Sequence, residues 1–379
     1  MKIIDIKATP ISVPWPKEHA VTIGIGRAVK RDAVIVKITT ASGIVGYSEA
    51  HHGRAPGSIA HLINTTLRHL VLGMDATDTV GVWAKVYKYQ LGSHGMGAAA
   101  AIGLSGIDLA LWDIRGKAVG LPLYKLIGGK SRPLPAYAGG VALGYQQPEK
   151  LVREAGIVLE EGYKAIKLRV GDTPERDLAS VAAVRKAFGN ELTILVDANT
   201  GYTVNDARRV IPGFDDNGVG WLEEPFPAHD HRSYAMAKTF GRVALAAGEN
   251  HYTRFEFHRV IEDGSISVLQ PDLAKTGGMT EALRIAALAS AWKLTINPHS
   301  SMTGLSMAAN IHLLAAIDNG GYFEADVSKV NPFRDELCGR PFSVDRDGNV
   351  VPLEAPGLGL EIDETFIARH PVIEGPAYV

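Results

Sequence analysis

From about residue 134 onward the chain repeats one unit, a short apolar run followed by a helix-sized stretch. The runs LPAYAG, AIKLRV, LTILVDAN, VGWLEEP, VALAAGEN, ISVLQPD, LTINPHS and GGYFEAD make eight such units. Strands joined by helical crossovers run parallel, and eight of them favour closure into a barrel of the eight-fold α/β type. The competing arrangement is an open doubly wound sheet. That fold usually carries a glycine-rich phosphate turn of the dinucleotide kind, and the sequence has none.

The N-terminal part has a different rhythm. IIDIKATPISV and AVIVKITTASGIVGYSEA alternate like antiparallel strands, with a hairpin turn expected at Ala41, Ser42 and Gly43. SIAHLINTTLRHLVLG and AAAAIGLSGIDLALWDIRGKAVG then place apolar residues at helical spacing, and Gly120 with Pro122 supplies a stop. The tail from Asn331 is rich in Pro and Gly and is expected to return to the N-terminal layer. The expected fold is thus α/β, a modified TIM-type (β/α) barrel with an α+β capping domain built from the N-terminal region and the C-terminal tail. The boundaries are 1–127 for the cap, 128–330 for the barrel and 331–379 for the returning segment.

A formal charge of −2 provides no basic field, so neither nucleic acid nor an anionic membrane surface is an expected partner. The single cysteine, Cys338, cannot form an internal disulfide. The first residues have no apolar stretch of signal-peptide length, and no run approaches the ~20 residues a membrane helix needs. A soluble cytoplasmic protein, assembled as a homo-oligomer and acting on a small molecule, is expected.

Polar residues at the strand ends carry the chemical signal. Asp197 closes ILVD, Glu223 closes VGWLE and Glu249 closes LAAGE, each 26 positions after the one before. Equivalent ends of successive barrel strands converge on one mouth, where active sites of this fold lie. Three carboxylates gathered there repel one another and raise their own pKa values unless a cation intervenes. An all-oxygen set suits Mg²⁺ better than zinc, which prefers His or Cys. Each acid taken alone reads more readily as a helix cap; three in register favour a metal. The same counting places Lys167, Asp272, His299 and Glu324 at neighbouring strand ends. An Asp beside a His orients the imidazole and raises its pKa toward a general-base range. AIKLRV turns Ala165, Lys167 and Arg169 to one face and Ile166, Leu168 and Val170 to the other. Two cations on one face of a core strand call for solvent or for an anion.

These motifs in combination resemble the enolase superfamily, and within it the mandelate racemase subgroup, over nearly the whole chain. VDAN, WLEEP and AGEN are similar to its three metal-ligand strands, QPDLAKTGG to its sixth strand, NPHSS to its His strand and FEAD to its eighth. The resemblance implies one Mg²⁺ per subunit on Asp197, Glu223 and Glu249, and a His299/Asp272 dyad where a sister subgroup has a lysine base. Glu324 matches the acid that hydrogen-bonds the substrate carboxylate. The implied reaction is removal of the proton α to a carboxylate, by His299 or Lys167, with metal and nearby cations stabilising the enediolate.

One departure bears on the reaction. Members with two competent bases carry Lys-x-Lys on this strand, whereas here the second position is Arg169, a poor proton acceptor. A racemase needs a base on each face of the α-carbon; a dehydratase needs one base and one acid, and His299 can serve as both in a syn elimination. Dehydration of an aldonate or aldarate to a 2-keto-3-deoxy acid is therefore expected first, and racemisation or epimerisation of a 2-hydroxy acid second. A non-catalytic ligand-binding barrel ranks last.

Beside these, Glu224 is expected to turn away from Glu223 and support it, and Asn199 to face the mouth. Lys275 is expected to act as an electrostatic support beneath the dyad. Residues 14–32 read as a lid, with Gly24 and Gly26 interrupting a strand pattern. His19, Arg27, His51, His52 and Arg54 are candidate substrate contacts, or else ordinary loop residues. SHGMG at 93–97 is turn-like and carries no reading.

Overall fold

The structure, a computed structural model, describes residues 1–93 and 95–379; His94, within the SHGMG stretch, lies outside the described residues. Three long antiparallel strands, β1 (Ile3–Pro14), β4 (Lys30–Thr40) and β5 (Val45–Ala50), form the capping sheet in the order β1-β4-β5. Gly43, at φ 83°, makes the turn between the last two. The small hairpin β2 (Thr22–Ile23) and β3 (Gly26–Arg27) lies between β1 and β4. Helix Ala98–Val119 covers the sheet and ends at Gly120 in the left-handed conformation, as a C-terminal cap requires.

β4 is buried on both faces. Val34, Val36 and Ile38 pack into the core beneath that helix, while Ala33 and Ile35 alternate into the core shared with the barrel. Gly106 allows the helix to lie this close, since a Cβ there would meet Val36 Cγ2 at 2.7 Å.

The barrel strands are β6 (Leu134–Gly139), β7 (Ala165–Arg169), β8 (Thr193–Asp197), β9 (Val219–Glu223), β10 (Ala244–Ala247), β11 (Val268–Leu269), β12 (Thr295–Ile296) and β13 (Phe323–Asp326). β6 to β12 lie side by side in chain order, each parallel to the next, and β13 pairs with the far edge of β6. A parallel bridge from Ile296 to Gly320 brings β12 against the approach to β13. Alternation divides the side chains. Ile166, Leu168, Ile194, Val196 and Leu222 face the helices, and each contributes about 1.5–3 kcal/mol through burial. Tyr137, Ala165, Leu195, Trp221 and Ala246 fill the interior as a separate cluster, the floor of the barrel.

The cap grips the barrel at the loops that follow β11 and β12. Ser105 Oγ accepts from Gly277 N at 2.8 Å and Asp108 Oδ2 from Thr280 N at 2.9 Å. From β5, buried Glu49 accepts from Met302 N (3.1 Å), Thr303 N (2.9 Å) and Thr303 Oγ1 (2.7 Å). Burial pushes the Glu49 pKa up to about 7, against the pull of those donors.

The tail touches both layers. β14 (Asn349–Val350) pairs antiparallel with β6, Pro371 bridges Ile11, and the segment from Ala377 to Val379 runs along β3. There Val29 N donates to Ala377 O, and Arg27 and Val379 exchange both backbone hydrogen bonds. The lid segment 14–32 is thus a hairpin covered by the tail rather than a free-standing loop. No helix among the described residues is long and apolar enough to cross a membrane.

Candidate active site

Two residues beyond the apolar floor, the inward positions become charged. Parallel register sets Arg169 beside Asp197 and Asp197 beside Glu223, while Glu223 pairs with Ala246, three residues before Glu249. Strand pairing therefore sets Arg169 beside the acids that even spacing in the sequence singles out.

Lys167, only 1% exposed, sits among three acids. Its Nζ lies 2.8 Å from Glu223 Oε1, 2.9 Å from Glu324 Oε1 and 3.6 Å from Asp197 Oδ2. Burial opposes its charge, yet the Glu223 and Glu324 carboxylates outweigh burial and hold its pKa well above the usual lysine value. The cations of β7 thus face acids of the same protein. Arg169 donates to Asp197, to Gly140 O and, at 3.2 Å, to Asn199 Oδ1. Asp197 also accepts from Asn199 N at 2.8 Å. Glu223 Oε2 accepts from Gln270 Nε2 at 2.6 Å.

The imidazole of His299 is held at both nitrogens. Nδ1 lies 2.7 Å from Asp272 Oδ2, and Nε2 lies 2.9 Å from Glu249 Oε2. Asp272 is fixed in turn by Ser301 Oγ at 2.6 Å and Ala274 N at 2.7 Å. Burial lowers the His299 pKa, but Glu249 and Asp272 overcome burial and hold it well above 6.5. Glu324 accepts from the backbone N–H groups of Gly140 and Ser300; although burial opposes its charge, Lys167 and His299 bring its pKa down to about 2.

The expected rise of all three mouth carboxylates occurs at Glu223, where burial and neighbouring acids outweigh Lys167 and push the pKa to about 7. Glu249 moves the other way, well below 4.5. Burial works against its charge, and the His299 contact more than compensates. Glu224 departs from the expectation of simple alternation. The strand ends at Glu223, and Glu224 adopts φ 38°, so both of its oxygens meet Asn250 Nδ2 at 3.0 Å. Burial, with Glu249 and Asp197 close by, raises its pKa well above 4.5. Lys275 Nζ donates to Asn250 Oδ1 at 2.8 Å.

A cavity of about 340 Å³ opens above these groups. Its barrel wall includes Arg169, Asn199, Glu249, Lys275 and His299; Lys167 lies beneath the lining. The opposite wall comes from the cap and includes Ile23, Ile25, His51, His52 and Arg54. His51 and His52 stack at 4.2 Å, and burial lowers both pKa values, that of His52 to about 3. Neither His19 nor Arg27 reaches this cavity. The short 3-10 turn Lys17–His19 sends His19 to a separate hollow beside Trp15 and Tyr145, while Arg27 is exposed and engages Val379 through its backbone. Sequence reasoning missed Arg31, Asn250 and Tyr378 on the walls. AGEN contains Asn250 and so offered a hint, whereas Arg31 and Tyr378 reach the cavity only through tertiary pairing.

Fold and cavity together define a capped (β/α) barrel of the enolase type. Within that class the chain belongs to the mandelate racemase/muconate lactonizing enzyme family: residues 5–128 match its N-terminal domain, and residues 150–366 match the enolase C-terminal domain-like model. Arabinonate dehydratase of Saccharolobus solfataricus is 33% identical over 341 residues, covering 89% of this chain and 90% of that one. The crystal structure of an enolase-superfamily member from Polaromonas sp. JS666 covers both chains in full at TM-score 0.98 and 54% identity. A racemase from Streptomyces coelicolor A3(2) with bound magnesium superimposes at TM-score 0.87 and 28% identity, over 98% of this chain and 100% of that one.

Proposed function

We propose that this protein is a Mg²⁺-dependent acid-sugar dehydratase that removes the proton α to a carboxylate and expels the β-hydroxyl, yielding a 2-keto-3-deoxy acid. The observation that carries this reading is the His299–Asp272 pair on the cavity wall, facing a mouth whose other charges are all held in place. Lys167 is buried, paired with two carboxylates and outside the cavity lining, which suits a fixed positive charge rather than a base. Arg169 stays protonated, its pKa held above the ordinary value by Asp197 and Glu324 in spite of burial.

The residues fit a divalent cation by charge and donor type. Six carboxylates (Asp197, Glu223, Glu224, Glu249, Asp272 and Glu324) share this end of the barrel with three fixed cations, Lys167, Arg169 and Lys275, and with His299. Burial and mutual repulsion push Glu223 and Glu224 toward their protonated forms, and a hard cation with oxygen ligands would take over the charge balance that those protons keep. Among the described residues no three acid, His or Cys side chains already converge as a finished cage, because Lys167, Arg169 and His299 each hold an oxygen of the set. Asp197, Glu223 and Glu249 would be the ligands. Bound there, the cation would supply positive charge beside the substrate carboxylate, and Glu249, as one of the residues holding it, would no longer be committed to His299 Nε2.

His299 then accepts the α-proton at Nε2, with Asp272 fixing the ring through Nδ1. The same nitrogen returns the proton to the departing hydroxyl on that face. Lys167 and Glu324 hold the charge environment of the developing enediolate, and the cap excludes water. Relatives include an arabinonate dehydratase and a D-galactonate dehydratase, the latter 30% identical, which supports the substrate class. The test is incubation of aldonic and aldaric acids with Mg²⁺, scoring 2-keto acid and α-deuterium exchange in D₂O. Keto-acid formation is expected. Exchange with inversion and no loss of water would establish a racemase instead, and neither exchange nor product would refute both.

A further inference from the structure

One charged group on the cavity wall has no use in that chemistry. Arg31, at the start of β4, is 3% exposed and lines the cavity. Its guanidinium stacks on the Trp15 ring at 4.0 Å, which fixes its plane. Nη1 lies 3.6 Å from Met302 Sδ, a weak acceptor, and 3.6 Å from Asp326 Oδ2, beyond hydrogen-bond range. Asp326 is already committed: Oδ1 accepts from Ser328, and Oδ2 accepts from Asn331 Nδ2 at 2.6 Å. Nε and Nη2 of Arg31 have no partner at all. A buried guanidinium with most of its donors unmet is costly unless something arrives to meet them.

Other cations gather at the same place. Arg54 lies over the Tyr378 ring at 6.0 Å, in a left-handed turn at φ 58°. Tyr378 is carried into the lining by the pairing of the tail with β3, and Arg31, Arg169 and Arg54 all lie near enough to act on its phenol. The chemical end of the cavity is crowded with carboxylates, whereas Arg31 and Arg54 share this part, among the described residues, with the Asp326 carboxylate, which Ser328 and Asn331 already hold.

We propose that Arg31, with Arg54 and the Tyr378 hydroxyl, forms a second anion-binding subsite, and that the substrate is accordingly a dicarboxylic sugar acid whose far carboxylate enters it. A planar carboxylate meets the Nε and Nη2 edge of a guanidinium with two parallel hydrogen bonds, and these are the two buried nitrogens without a partner. The proposal rests on the acid-sugar reading, and it selects aldarates over aldonates.

The experiment compares tetraric, pentaric and hexaric acids with aldonic acids of matching configuration, with Mg²⁺ present, by calorimetric titration and by α-deuterium exchange. A diacid is expected to exceed its matched monoacid about 10- to 100-fold in affinity and kcat/KM. Arg31→Gln is expected to remove that preference by raising the diacid KM, with the monoacid constants within about twofold of wild type. Arg31→Lys is expected to restore part of it, and Arg54→Gln to have a smaller effect. A monoacid handled as well as its diacid would overturn the proposal, as would a preference that survives in a folded Arg31→Gln protein. If Arg31→Gln does not fold, the wild-type comparison and Arg31→Lys decide. If no acid reacts, the dehydratase reading falls by itself. Calorimetry then still rules on the subsite: tighter diacid binding supports it, and equal or absent binding refutes it.

Discussion

The two walls of the cavity are built on opposite principles. On the barrel side the charged side chains, at the wall and just beneath it, are paired: Lys167 with Glu223 and Glu324, Arg169 with Asp197, His299 with Asp272 and Glu249. Their backbones are neighbouring strand ends in fixed register. On the cap wall the groups come from a hairpin, a turn and the chain's tail, and Arg31 keeps two nitrogens unpartnered. Reaction chemistry needs groups held to within a fraction of an ångström, which paired strand ends provide. Selectivity needs groups that wait for a ligand, and an unpaired wall provides those.

Breaking the paired wall should have the largest consequences. His299→Asn is expected to reduce α-proton exchange about 10³- to 10⁴-fold in a protein that still folds with a lowered melting temperature, because the amide keeps a polar contact but neither accepts the proton nor carries charge between Asp272 and Glu249. Exchange followed by NMR, together with a thermal melt, checks both parts. Lys167→Met should act on the fold itself. It leaves Glu223 and Glu324 buried without their shared cation and is expected to cost about 3–5 kcal/mol in denaturant unfolding.

The junction between the walls should show a smaller, pH-dependent effect. The native state keeps the Glu49 proton up to about pH 7, while the unfolded chain releases it near the ordinary glutamate value of 4.5. Between those values the native state binds more protons, so stability falls as pH rises from about 4.5 to 7 and is flat above. Glu49→Gln is expected to flatten that slope by on the order of 2–3 kcal/mol, measured as the difference between urea midpoints at pH 4.5 and pH 8 for variant and wild type. An unchanged slope would mean that Glu49 does not titrate in this window. Removing residues 377–379 should have the mildest effect. It releases the lid hairpin alone, so KM should rise about tenfold with kcat within about twofold, whereas a collapse of kcat would show that the tail supports the barrel wall too.

The same contrast explains what could be read from the sequence. Asp197, Glu223 and Glu249 were legible because parallel register repeats at the scale of one β/α unit, so equal spacing becomes spatial proximity. The Asp272–His299 pair followed for the same reason. Alternation failed at Glu224 because it holds only while the strand continues, and a positive φ at that residue turns its side chain to Asn250. The pKa of Glu249 was misjudged because like-charge repulsion was weighed without the imidazole 2.9 Å away. His19 and Arg27 were placed on the lid but not on its inner surface, since facing direction in a short hairpin depends on what covers it. Nothing near Arg31 or Tyr378 in the sequence connects them; their meeting depends on backbone bonds between the tail and the lid.

That tail pairing sets an order of events during synthesis. All eight barrel strands and the whole capping sheet leave the ribosome before Ala377 to Val379 do, so a nascent chain can hold a folded catalytic floor while one side of its substrate chamber is still open.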